Sequence, residues 1–204
     1  SAEHTYDADG KCTGCGIYDV PECVDGVYQI GNAYQLYWFA GLVNGDTSVC
    51  NGEISQDASA DAVLVNDIVI NEGNVSGCAG VKAEGWRKWT PIGNTDDGYS
   101  GTFDGNGYTI SGLYIKEPYV FSIGLFGKLM GGTVKSLGLI NSYIEGYECV
   151  GGIAGSIDGS SIISNCYNAG TVSSAANDRQ NYGGICGYIV DKGSKVTDCY
   201  NTGK

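Results

Sequence analysis

The chain has 204 residues, of which 42% are hydrophobic and 17% charged, with a formal net charge of -12. Patterned apolar residues at that level exclude disorder. The acidity excludes a nucleic-acid surface, which needs clustered Lys and Arg, and opposes attraction to an anionic membrane. With 34 Gly, 15 Tyr and only 3 Pro, the composition suits many short strands joined by tight turns, because Gly supplies geometries that other residues resist. The longest apolar stretch, around Tyr37 to Val43, falls far short of the roughly 20 residues of a membrane-spanning helix, so no membrane insertion is expected.

Residues 1–26 read as a Cys-rich extension. His4, Cys12, Cys15 and Cys23 lie close together, and Cys12-x-x-Cys15-Gly16 has the shape of a zinc knuckle, in which two thiolates share one ion and Gly allows a left-handed turn. Zinc is one expectation for these four residues. Disulfides such as Cys12–Cys23 explain the same residues, and the second half of a four-cysteine zinc pattern is missing. Ser1 is compatible with the product of signal cleavage.

From residue 27 onward the chain reads as one solenoid. Ala33, Leu36, Phe39, Ala40 and Val43 fall at helical spacing, which predicts a short amphipathic helix over about 28–44. A solenoid needs its terminal coil covered, so this helix is expected to cap the N-terminal end. Val63, Val65, Ile68 and Ile70 follow as the strands of a first coil, and Asp104-Gly105-Asn106-Gly107 has the dipeptides of a tight turn.

The strongest signal is a repeat over 99–204. Gly124-Leu125-Phe126-Gly127 aligns with Gly152-Ile153-Ala154-Gly155 and Gly184-Ile185-Cys186-Gly187, at spacings of 28 and 32 residues. A second motif, Asn165-Cys166-Tyr167-Asn168-Ala169-Gly170, returns as Asp198-Cys199-Tyr200-Asn201-Thr202-Gly203 after 33 residues, with Leu137 holding the first cysteine's place one copy earlier. Short strands of period two fill the intervals, as in Tyr108-Thr109-Ile110-Ser111. Such units cannot bury a face alone and must stack. The prediction is a parallel β-helix in which Leu125, Ile153 and Ile185 form one internal ladder, and Leu137, Cys166 and Cys199 another. The two thiols are expected to stay free inside, since parallel neighbours rarely satisfy disulfide geometry. Cys50 with Cys78, and Cys149 with Cys186, are possible pairs. The polar stretch from Ser173 to Asn181 reads as an outer loop. Asn201 to Lys204 stop within a repeat, so the chain reads as a piece of a longer protein.

Gly124 to Gly127 resembles the GLUG motif of bacterial surface and exported proteins, including large adhesins and IgA-protease-type exoproteins. Trp89-Thr90-Pro91-Ile92-Gly93 and the run from Gly101 to Leu113 are similar to the segment that precedes such repeats. The resemblance covers 86–204 clearly and 27–85 loosely. It implies an all-β, right-handed parallel β-helix with little catalysis, outside the cell or on its surface.

Catalytic constellations are sparse. Asn94-Thr95-Asp96-Asp97 is similar to a polygalacturonase element, but glycoside hydrolysis needs a second carboxylate at fixed separation, and the expected basic clamp and nearby His are absent, His4 being the only His. The expected function is therefore a non-catalytic structural or adhesive module, whose partners are its own subunits, head to tail, or a surface glycan or protein. The alternative is carbohydrate binding by exposed aromatics, with Tyr99, Tyr114, Tyr119, Tyr143 and Tyr147 as the pool.

Overall fold

The period-two segments form short strands that pair from coil to coil. The structure is a computed structural model and describes residues 5, 12–16, 18–49, 55–78, 85–94, 96–174 and 181–204. It opens with β1 (Glu22–Val24), β2 (Val27–Ile30), helix α1 (Ala33–Asn44), β3 (Asp61–Leu64) and β4 (Ile68–Val69). Next come β5 (Thr102–Asp104), β6 (Thr109–Ser111) and β7 (Tyr114–Lys116). Three complete coils follow. The first holds β8 (Phe121–Ile123), β9 (Phe126–Met130), β10 (Thr133–Lys135) and β11 (Gly138–Gly146); the second β12 (Glu148–Gly151), β13 (Ala154–Asp158), β14 (Ile162–Ser164) and β15 (Tyr167–Ser174). The third holds β16 (Tyr182–Gly183), β17 (Cys186–Ile189), β18 (Lys195–Thr197) and β19 (Tyr200–Asn201).

Each coil contributes one strand to each of four sheets. Their orders are β8-β12-β16, β9-β13-β17, β1-β2-β3-β5-β10-β14-β18 and β4-β6-β11-β15-β19, with β7 also on β11. All pairings are parallel except β1 on β2. The fold is the parallel β-helix expected from the repeats.

In-register pairing stacks like on like. One inner row runs Ala62, Phe103, Val134, Ile163, Val196. Another runs Ile68, Ile110, Leu139, Asn168, Asn201. Its first four members are buried, and Asn168 is fully so. The Asn168 amide donates to Asn201 Oδ1 at 2.9 Å, and its own Oδ1 accepts the Gly170 N–H at 2.9 Å. A buried amide is tolerated because its partners are supplied by its own coil and the next.

Helix α1 closes the N-terminal end. Phe39 packs against Tyr99 and Phe103, with ring centroids 6.2 and 5.9 Å away, and both of those contact Phe126 at 5.4 Å. Asn44 ties the helix to the later segment Pro91–Gly93, its Oδ1 accepting the Gly93 N–H at 2.8 Å and its amide donating to the Pro91 carbonyl at 2.9 Å. The helix begins later than its periodicity predicts. Residues 27–30 pair with β3 instead, and Asn32 caps the helix by accepting the Gln35 N–H at 2.9 Å. Apolar spacing does not mark this boundary, because a strand entering a cap is as apolar as the helix after it. The first coil also shows a phase that composition hides: Ala62 and Leu64 face inward, whereas Val63 and Val65 lie outside the core.

The Asp104–Gly107 turn forms through left-handed Asn106 (φ 51°) and Gly107 (φ 83°). Asp104 accepts the Asn106 N–H at 2.8 Å and pairs with Lys135 of the next coil at 3.1 Å, so its carboxylate serves the turn.

Candidate functional site

A groove of about 650 Å³ runs along the solenoid where the sheet of β8, β12 and β16 meets the sheet of β9, β13 and β17. Its position follows from the repeated glycines. A Cβ on Gly155 would fall on the backbone of Ser122 and Ile123, one coil earlier. The same holds for Gly187 against Cys149 and Val150, the latter nitrogen at 2.5 Å. In these two motifs the second glycine therefore lets one sheet fold onto the outer side of its neighbour. Ser122 on β8 and Ser156 on β13, both lining the groove, bring their hydroxyls to 3.1 Å. Side chains facing out of adjacent sheets can meet like this only where the corner is concave.

The two walls differ in chemistry. On one, Phe121 is 55% exposed and held edge-on against Tyr147, centroids 5.1 Å apart, beside Val120 and Glu117. The other carries the outward row Lys128, Ser156, Tyr188 on β9, β13 and β17, with Asp158 beside it. Asn94 and Asp96 close the N-terminal end. Lys88 pairs with Glu117 at 3.7 Å, and Lys128 Nζ reaches the Asp96 carbonyl at 3.5 Å. Trp89 is buried behind this wall and donates its indole N–H to the Leu125 carbonyl at 3.0 Å.

A thiol also lines the groove. Cys149 has a left-handed backbone (φ 57°), and burial, then the Glu148 carboxylate, push its pKa up. A nucleophilic cysteine needs the opposite shift, toward thiolate.

Leu125 and Ile153 are fully buried at successive levels, and Ile185 is half-buried on the third. Backbone bonds join the three levels: the Leu125 N–H donates to Gly152 and the Ile153 N–H to Ile185. Leu137 and Cys166 are buried, with Cys199 half-buried beyond them, its sulfur 3.4 Å from the Cys166 amide. Burial first of all pushes the Cys166 thiol up to about 12 and that of Cys186 to about 11. Cys23, Cys78, Cys149, Cys166, Cys186 and Cys199 carry free thiols. Cys50 and the loop residues 175–180 lie outside the described residues.

In the N-terminal extension, Cys12 is buried, Cys15 is exposed, and Cys23 is exposed on β1. Gly16 takes the left-handed turn (φ 75°) and donates its N–H to the Cys12 carbonyl at 2.7 Å. His4 lies outside the described residues, and among those described no three His, Cys, Asp or Glu side chains gather as a metal cluster.

The tyrosines proposed as a sugar platform divide. Tyr99, Tyr114 and Tyr143 are buried and unavailable to a ligand. Tyr99 donates to the Ala60 carbonyl at 2.8 Å inside the core. Tyr114 and Tyr143 stack at 6.1 Å beneath Val75, Cys78 and Trp86, and Tyr143 donates to Glu145 at 2.5 Å. The segment over them is held by Asn141 and Thr171, which donate to the Gly73 and Ser76 carbonyls. Tyr119 is 86% exposed, and Tyr147 packs edge-on against Phe121. Phe121, Tyr188, Glu117 and Asp158 of the groove were not singled out by sequence. Their outward parity in the aligned repeats was the available signal; that two sheets fold toward each other was not.

Residues 146–173, from the end of β11 through most of β15, match the family model of the GLUG motif. The chain carries the GLUG motif. Over 161 residues, 78% of its length, it is 39% identical to halomucin of Haloquadratum walsbyi. Over 57 residues, 28% of its length, it is 40% identical to a protein of Evansella cellulosilytica provisionally described as a Gly-rich membrane protein. The chain spans only 2% and 7% of the lengths of these relatives. A crystal structure of a protein provisionally described as an immunoglobulin A1 protease, from Bacteroides ovatus, superposes with a TM-score of 0.50 over 98% of this chain and 74% of that one. At 17% identity that likeness concerns the fold alone. In this GLUG chain no described helix is long and apolar enough to cross a membrane.

Proposed function

We propose that this chain is a non-catalytic structural module of an exported surface protein, and that it extends a stalk by coil-on-coil stacking. The observation that carries this reading is the in-register stacking. Like residues follow one another from coil to coil, as in the inner row Phe103, Val134, Ile163, Val196, so each coil offers an apolar rung and a strand edge that the next copy of the repeat covers. Strand edges and apolar ends of this kind recruit another strand layer unless something blocks them. A further coil of the same repeat, from the same chain or the next copy head to tail, has the complementary surface. Similarity to halomucin and the match to the GLUG motif support the exported setting.

Hydrogen exchange on the protein isolated from its source tests the proposal. Amides of β17 to β19 are expected to exchange as slowly as those of β13 to β15. Fraying-edge rates at β17 to β19 would overturn it.

A further inference from the structure

We infer that the concave corner between β8–β12–β16 and β9–β13–β17 is a binding site for a neutral oligosaccharide, an inference independent of how the coils stack end to end.

Four features of the groove select this ligand. The first is size: about 650 Å³ lies in the range of small-ligand sites. It crosses from the Pro91–Asn94 level through β9 and β13 to β17, about 14 Å at a strand spacing of about 4.8 Å. An open trough of that length suits a chain of rings better than a single one. The second is aromatic surface on both walls. Phe121 and Tyr188 are 55% and 44% exposed, and Phe121 is fixed by Tyr147, so an apolar ring face can be presented without ordering cost.

The third is the polar set. Glu117, Asp158, Asn94, Ser122 and Ser156 line the same walls. Carboxylates and amides accept and donate to adjacent ring hydroxyls, while the aromatic faces take the C–H side of the sugar. The fourth is charge. Asp96, Glu117 and Asp158 outnumber Lys128 and the Lys88 that pairs with Glu117, on a chain of net charge -12, which repels anionic glycans and nucleic acid. Along the groove the central strands β12 and β13 are paired on both sides, so a peptide lying there could bind only through side chains.

The glycine repeat thus has a second consequence. The spacing that stacks the coils also repeats the concave corner at each level, so the groove lengthens with every further GLUG copy.

Affinity electrophoresis through gels containing β-glucan, mannan or xylan, followed by calorimetry with the matching hexasaccharides, tests the assignment. At least one neutral polysaccharide is expected to retard the protein, and Phe121→Ala and Tyr188→Ala should each weaken binding at least tenfold. Both side chains are exposed, so circular dichroism of each variant should match the parent. Asp158→Asn and Glu117→Gln should weaken binding severalfold. Absence of retardation by every glycan, retardation that survives both aromatic substitutions, or preference for an anionic glycan or a peptide would each overturn the inference. Hydrolysis of the bound glycan, lost in Asp158→Asn, would leave the binding site standing and overturn the non-catalytic reading instead.

Discussion

At the scale of single residues, the backbone corners are decided by side-chain absence and by left-handed geometry. Ser136, Asn165 and Asp198 occupy the same place on three successive coils, each at φ 52–54°, just before the inward Leu137, Cys166 and Cys199. Asn and Asp tolerate that conformation better than Ser. Gly155 imposes a harder limit, because a methyl group there would meet backbone, which cannot rotate away. Gly155→Ala is expected to destabilise the protein by about 2–3 kcal/mol, as overpacking with little room to relax does. Urea unfolding of the purified variant measures it, and a loss below about 0.5 kcal/mol would mean that the corner yields. The glycines are plain in the sequence as spacing, but a motif cannot say whether glycine is present for its φ or for its missing Cβ.

Among elements, the helix shows where local pattern succeeds and where it stops. Five apolar residues at helical spacing predict α1, and Leu36, Phe39 and Val43 are fully buried as that face requires. Its start is set instead by a polar residue: Asn32 accepts the Gln35 N–H, while the Gln35 side chain returns to accept the Gly31 N–H at 2.7 Å. Asn32→Ala should cost about 1 kcal/mol, the usual worth of such a cap. Thermal unfolding should register the loss, and Asn32→Ser should restore part of it. Asn32→Asp should not, because the Asn32 amide donates to Asp19 Oδ2 at 2.8 Å and a carboxylate there would face a like charge. The strands teach the complementary lesson. Tyr114 and Tyr143 have the parity of outward residues, and they do point outward, but a segment from the preceding coil covers them. Alternation reports the face of a sheet, not whether that face is wet.

Across the whole molecule, burial accumulates along rows and raises the pKa values of the groups inside them. The Cys166 thiol is raised from the ordinary 9.0 to about 12, and that of Cys186 to about 11, burial being the largest cause in each. Tyr99, Tyr143, Tyr28 and Tyr114 are raised as well, again chiefly by burial. A raised folded-state pKa means that the folded protein holds a proton the unfolded chain has released. Stability from these groups is therefore complete below pH 9 and is lost as pH climbs through the folded values. The urea midpoint should be flat from pH 7 to 8.5 and should fall progressively above 9. In Cys166→Ala the decline between pH 9 and 10 should be shallower, relative to that variant's own plateau. An unchanged slope would show that the thiol row is not its source.

The repeat, the stacking and the parallel sheet were legible from spacing, because a unit of about 30 residues with period-two strands can bury its apolar face only against a copy of itself. So were the helix and the Asp104–Gly107 turn, whose signals are local. That Asn168 is an inner rung rather than a surface polar residue emerges only in the folded molecule, since the satisfaction of its amide depends on Asn201, a coil away. The fold likewise decides which aromatics stay exposed, and it brings Asp96, Glu117 and Asp158 to one groove. Those outcomes depend on how two sheets turn toward each other and on which segment lies over which face. Such contacts join residues far apart in the chain, and no periodicity of either partner encodes them.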